Sequence, residues 1–255
     1  MRKPIIGGNW KMYLGTPTEA ISMTKKLKNL VKSVKTVDIV IAPPFTVLYS
    51  VVRELKKTSV NVAAQNMYFE DEGAFTGEIS PLSLNDIGVS YVILGHSERR
   101  EIFGETDDLI NKKIKKALEV SLIPIVCIGE NLNAREAGRT KEIIRNQIDL
   151  TFQDLTSQEI ARIIIAYEPL WAIGTGKTAT PEQAEEIHIF IREILKEKYG
   201  EDVADETRIQ YGGSIKPVNA KSLFSKDNID GGLVGGASLN PESFFEIIKA
   251  AESNL

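Results

Sequence analysis

The chain has 255 residues, of which 42% are hydrophobic, 26% charged and 7% aromatic; the length suits one large domain, and the apolar share excludes intrinsic disorder. Lys and Arg number 31 against 35 Asp and Glu, a net charge of −4. That balance excludes a general nucleic-acid or anionic-membrane binder, which needs a basic excess, but it leaves room for a local basic pocket for one small anion.

Short β-branched runs recur along the chain, each followed by a helical pattern. The predicted strands are Pro4–Trp10, Val37–Ala42, Val60–Ala64, Tyr91–Leu94, Ile123–Ile128, Ile163–Tyr167, Arg208–Tyr211 and Gly231–Val234. Most are continuous apolar runs, as expected of parallel strands buried on both faces. Between them lie amphipathic stretches. Pro17–Ser33 places Ala20, Ile21, Met23, Thr24, Leu27, Leu30 and Val31 on one side, and Pro181–Lys198 carries a stripe of Ala184, Ile187, Ile191, Ile194 and Leu195. The second of these opens with Thr180-Pro181-Glu182-Gln183, an N-cap, a proline in the first helical position and a glutamine three residues after the cap.

Strict alternation of strand and helix implies a parallel sheet with helices outside it. Eight such units in 255 residues suit a closed (β/α)₈ barrel; the strand count also fits an open doubly wound sheet. No Ser/Gly/Pro-rich linker divides the chain, so residues 1–255 read as a single-domain TIM barrel. No apolar run reaches the ~18 residues of a membrane span, and the opening MRKPIIGGNWK lacks a signal-peptide core. The expectation is a soluble, cytoplasmic, metal-free protein.

Barrels carry their chemistry at the C-terminal ends of the strands. There the first strand offers Asn9-Trp10-Lys11, the fourth Gly95-His96-Ser97-Glu98, the sixth Glu168-Pro169, the seventh Gly212-Gly213-Ser214 and the eighth Gly235-Gly236. A carboxylate, an imidazole, an ammonium and two glycine-rich turns thus converge on one face. Each has a plain structural role open to it: Lys11 as a solvated strand-end lysine, His96 as a helix cap, Glu168 in an ion pair. A carboxylate directly after IIIAY is nevertheless costly without a purpose. Glycine turns after the seventh and eighth strands match the place where barrels hold phosphate on backbone N–H groups.

Other features read as structural. Cys127 is the single cysteine, which rules out a disulfide framework, and no histidine is close in sequence to activate it. With only two histidines, His96 and His188, little remains for zinc. His188 lies beside the Ile187/Ile191 stripe and reads as packing or surface. Gly174-Thr175-Gly176-Lys177-Thr178-Ala179 fits the G-x-G-x-x-A dinucleotide fingerprint but begins six residues after Glu168 rather than at a strand end. The same Gly176-Lys177-Thr178 fails as a P-loop because Trp171 stands where the first glycine is needed.

Taken together, Gly8-Asn9-Trp10-Lys11-Met12, Ala64-Gln65-Asn66, Gly73-Ala74-Phe75-Thr76-Gly77-Glu78-Ile79-Ser80, Gly95-His96-Ser97-Glu98-Arg99-Arg100, Ala166-Tyr167-Glu168-Pro169, Trp171 to Lys177, Tyr211-Gly212-Gly213-Ser214 and Gly231 to Leu239 resemble the triosephosphate isomerase family over essentially the whole chain. Leu170 stands where the family usually has valine, and Tyr13 where a small or polar residue is common. The resemblance implies interconversion of dihydroxyacetone phosphate and glyceraldehyde 3-phosphate in glycolysis and gluconeogenesis, with neither metal nor cofactor. It implies Glu168 as base, His96 as electrophile, Lys11 as charge partner of the enediolate and phosphate, and Asn9 as its orienting partner. Glu98 would support Lys11 or the histidine turn. Phosphate would sit on backbone N–H groups of Gly174, Ser214, Gly235 and Gly236, under a lid running from Pro169 to Lys177. It further implies a homodimer in which Thr76, on the loop Gly73–Glu78, enters the partner subunit near the partner's Lys11; pairing of dimers into tetramers stays open. Two alternatives from other classes are a phosphate-binding barrel without catalysis, against which Asn9, Lys11, His96 and Glu168 all stand present, and an NAD-dependent dehydrogenase, against which the misplaced fingerprint stands.

Overall fold

The computed structural model describes residues 2–172 and 178–253. Eight parallel strands close into a barrel in sequential order: β1 (Ile5–Asn9), β2 (Asp38–Ala42), β3 (Val60–Ala64), β4 (Tyr91–Leu94), β5 (Ile123–Ile128), β6 (Ile164–Tyr167), β7 (Arg208–Tyr211) and β8 (Gly231–Val234). The open doubly wound alternative is thereby excluded, because β1 pairs with both β2 and β8. Strand ends fall within one residue of expectation, since a strand covered on both faces reads as an uninterrupted apolar run.

Two apolar layers result. Ile5, Val40, Ile93, Ile125, Ile164 and Leu233 fill the barrel interior, while the opposite faces of the strands pack against the helices through residues such as Ile6, Ile39, Val92 and Ile165. At the seam, Gly231 has φ +134, and a Cβ there would lie 2.0 Å from the Ile5 carbonyl oxygen. Only glycine lets β8 approach β1 that closely.

The helices start under strong local instruction. Thr16-Pro17, Ser80-Pro81, Thr180-Pro181 and Asn240-Pro241 each combine a capping side chain with proline in the first turn. At Thr180 a complete capping box with Gln183 forms, worth about 1 kcal/mol for such a cap. The helix expected over 17–33 ends at Leu30, and the one expected over 181–198 runs Pro181–Tyr199. The shortfall at Leu30 arises because Val31 and Val34 remain buried after the helix has unwound, so the apolar pattern outlasts the helix.

At the N-terminal end of the barrel, Asp230 gathers Arg2 at 2.5 Å, Arg192 at 2.9 Å and the Ile209 N–H at 2.7 Å. That end is a charge-paired base, and the opposite end is left to carry loops.

Candidate functional site

The loops after β1, β4, β6, β7 and β8 surround one cavity of about 640 Å³, lined by Asn9, Lys11, His96, Glu168, Ser214 and Gly235 among others. Gly236 lines it too, so all of the expected site residues within the described chain meet there. Gly174 lies outside the described residues, as do Ile173 and residues 175–177, which hold most of the false fingerprint and the end of the expected lid.

After β1 the chain turns sharply. Lys11 has φ +51, a left-handed conformation that costs a non-glycine residue roughly 1–2 kcal/mol. Two amides hold it there: Asn9 Oδ1 accepts the Lys11 N–H at 2.9 Å, and Gln65 Nε2 donates to the Lys11 carbonyl at 2.7 Å. The Lys11 ammonium meets Glu98 Oε1 at 2.5 Å. Asn9 is thus the orienting partner of the backbone at Lys11, and Glu98 the counter-charge of its side chain.

After β4, His96 is the N-cap of the helix Ser97–Phe103, and its Nδ1 accepts the Glu98 N–H at 3.2 Å. A ring nitrogen that accepts a hydrogen bond carries no proton, so the imidazole is neutral with its proton on Nε2. That atom faces Glu168 Oε1 at 3.0 Å. The capping and functional readings of His96 are the same geometry: the cap fixes which nitrogen looks into the cavity.

Glu168 follows β6 and is 2% exposed. Its N–H reaches the Ile128 carbonyl at 2.7 Å, and its Oε2 accepts the Ser97 N–H at 2.8 Å. The carboxylate therefore rests against the first turn of the histidine's own helix. Space around it is tight. A Cβ on Gly129 would lie 1.7 Å from the Glu168 carbonyl oxygen, and one on Gly212 would lie 2.8 Å from Glu168 Cγ.

Three residues carry roles that the sequence reading did not assign. Gln65 is one; its position directly after β3 was the available signal. Arg100 is another: it donates to the carbonyls of Gly95 at 2.8 Å and Cys127 at 3.1 Å and pairs with Asp107 at 2.6 Å, binding the ends of β4 and β5 together. Glu130 is the third, fully buried. It accepts from Trp171 Nε1 at 2.8 Å and from the Tyr167 hydroxyl at 3.1 Å, and its carbonyl accepts the Leu170 N–H at 3.0 Å. Burial pushes its carboxyl above the usual range, against the pull of those donors. Gly-Glu at a strand end was the only local hint.

The remaining features are structural. Cys127 is buried beside Glu168, and burial together with that carboxylate raises its thiol well above the ordinary value, which denies it nucleophilic character. His188 is buried, with Nδ1 at 3.0 Å from the Asn228 carbonyl and its ring edge-on to Tyr167; burial lowers its pKa to about 3. Among the described residues no cluster of three or more His, Cys, Asp or Glu side chains could hold a metal ion, and no helix is long and apolar enough to cross a membrane.

A neutral imidazole N–H, a buried carboxylate and an ammonium over glycine turns can move a proton next to a carbonyl while holding an anion. Comparison with known proteins agrees. Residues 4–251 match the family model described as triosephosphate isomerase. The chain is 56% identical over 250 residues to the triosephosphate isomerase of Fusobacterium nucleatum subsp. nucleatum, covering 98% of this chain and 99% of that one. It is 54% identical over 251 residues to that of Carboxydothermus hydrogenoformans, covering 98% and 100%. Against that of Chloroherpeton thalassium it is 52% identical over 252 residues, covering 99% and 100%.

Proposed function

The chain belongs to the triosephosphate isomerase family, and from that premise we propose how its own residues interconvert dihydroxyacetone phosphate and glyceraldehyde 3-phosphate. Residues 1–255 act as one catalytic domain. The observation that carries the reading is the 3.0 Å approach of His96 Nε2 to Glu168 Oε1 over a cavity shared with Lys11, Ser214, Gly235 and Gly236.

Substrate phosphate sits on the N–H groups of Ser214, Gly235 and Gly236, with Gly174 adding a fourth. The substrate carbonyl accepts from His96 Nε2–H in place of Glu168 Oε1, which lies 3.0 Å from that nitrogen. Released from that contact, the Glu168 carboxylate removes the proton from the carbon beside the carbonyl. The C–H electron pair forms the carbon–carbon double bond, and the carbonyl oxygen takes up charge that His96 and Lys11 stabilise. His96 moves protons between the two oxygens, and Glu168 returns its proton to the neighbouring carbon. Asn9 and Gln65 keep Lys11 in its strained turn, and Glu98 aligns the ammonium.

Its place is in glycolysis and gluconeogenesis, in the cytoplasm. The working form is a homodimer joined through the loop Gly73–Glu78. In support, that loop is exposed throughout, Phe75 included, and the apolar side chains of Met12, Tyr13, Ile102 and Phe103 stand exposed as well.

The test is a coupled isomerisation assay with the purified protein and with Glu168→Gln. The parent turns over both triose phosphates, and the variant keeps its fold and phosphate affinity while kcat falls by about 10²–10⁴. Near-parent kcat in the variant would remove Glu168 from the base role.

A further inference from the structure

We propose that Lys216 is the capture residue of this site, drawing the substrate dianion into the cavity before the glycine turns engage it, a role that rests on the triose-phosphate reading above. Lys216 lines the cavity together with Ser214, Gly235 and Gly236. It is exposed, and its ammonium enters no ion pair among the described residues.

The charge balance of the site explains why a free cation matters there. Lys11 is the other described cation on the cavity wall, and its ammonium is already engaged by Glu98 at 2.5 Å. Glu168 adds a further negative charge. Lys11, Glu98 and Glu168 together therefore present one net negative charge to an arriving dianion, and Lys216 cancels it.

The lysine is also fixed relative to the phosphate turn. Asn219 Oδ1 accepts the Lys216 N–H at 2.8 Å, and Asn219 Nδ2 donates to the Ser214 carbonyl at 3.1 Å. One amide thus clamps Ser214 and Lys216 into the same loop. The stem of the capture residue starts two positions from a proposed phosphate donor, while its side chain stays free to reach outward.

A positive charge acting through water on a dianion at about 8 Å changes encounter by about fivefold at low salt. The experiment measures kcat and kcat/KM for glyceraldehyde 3-phosphate with Lys216→Gln, Lys216→Glu and Lys216→Arg, from low ionic strength to well above 0.1 M, where the Debye length falls to about 10 Å or less. The expected result is that kcat is spared in all three. At low salt kcat/KM falls about fivefold in Lys216→Gln, further in Lys216→Glu, and stays at the parent value in Lys216→Arg. High salt closes the gap, and competitive inhibition by inorganic phosphate weakens in parallel. Turnover of neutral glyceraldehyde, which carries no phosphate, is unchanged.

Lys216→Gln with the parent's kcat/KM and salt dependence overturns the proposal. So does a loss that persists at high salt or extends equally to neutral glyceraldehyde, since that pattern belongs to a structural role. A parent enzyme that turned over no triose phosphate would instead fail the reading of the site, before any variant was compared.

Discussion

Trp171 donates its indole N–H to the fully buried carboxylate of Glu130 at 2.8 Å, tying the segment that follows the proposed base to the end of β5. The Arg135 guanidinium lies 5.3 Å over the same indole, so the apolar turn Leu170–Ala172 is held from two sides. An enediolate phosphate can expel its phosphate in water, and a lid with an apolar middle keeps water away. Replacing Leu170 to Ile173 by a short glycine link is expected to weaken binding of transition-state-like anions more than that of substrate and to divert part of each turnover to methylglyoxal and free phosphate. Product partitioning from dihydroxyacetone phosphate measures this. A slower enzyme that makes only the isomer would assign the segment to positioning Glu168.

Gly212 is expected to tolerate no side chain. Its N–H bonds the Tyr167 carbonyl at 2.7 Å, and an added Cβ would press on Glu168 Cγ at 2.8 Å. Gly212→Ala therefore moves the carboxylate, and a displacement of about 1 Å from working geometry costs about 10² in rate. Steady-state kinetics beside a thermal melt separate the outcomes: kcat falls while the fold persists. Parent-like kcat would show that the side chain relaxes without leaving its working position.

For His96, ¹⁵N NMR of the free enzyme at neutral pH is expected to report a bare Nδ1 and a protonated Nε2, because Nδ1 accepts the Glu98 N–H. His96→Gln should lower kcat by about 10²–10⁴. The opposite tautomer would mean that the cap does not orient the ring.

His188 sets an acid limit on stability. Its folded pKa is about 3, against 6.5 for the ordinary side chain, because burial disfavours the charged ring. Below pH 6.5 the unfolded chain binds a proton there and the folded chain does not, so stability is lost as pH falls through that window toward 3, by about 1 kcal/mol per pH unit. Denaturant midpoints between pH 7 and 5 should show the slope. His188→Gln should be less stable at pH 7 and flatter with pH; an equal slope would place the titration elsewhere.

Thr76→Arg tests the subunit contact. If Thr76 enters the partner beside the partner's Lys11, an arginine buries an unpaired charge next to a like one, at a cost of about 3–5 kcal/mol. Sedimentation should then show monomers of low activity. A variant that stays dimeric and active would give the loop another role.

Local chemistry alone determined the alternation of eight strands with helices and marked the polar groups at the strand ends, while closure of the sheet was decided by the pairing of β1 with both β2 and β8. Strands covered on both faces must be continuous apolar runs, so β4, β5, β7 and β8 could be bounded from the chain. Pairs such as Thr180-Pro181 start a helix through bonds that span three residues, and Glu168 stood out because a carboxylate rarely ends a buried strand without cause. What surrounds those groups was decided only when the barrel closed. Ser97 meets Glu168 across 71 positions, Gln65 meets Lys11 across 54, and Trp171 meets Glu130 across 41. Periodicity and capping act over one or two turns, and within that reach only their places at strand ends set apart the glutamate after β5 and the glutamine after β3, with nothing to name their partners. The same closure brought the Nε2 of His96 to Glu168 and placed Cys127 beside that carboxylate, because long-range partners and dielectric are properties of the assembled cavity rather than of neighbouring residues along the chain.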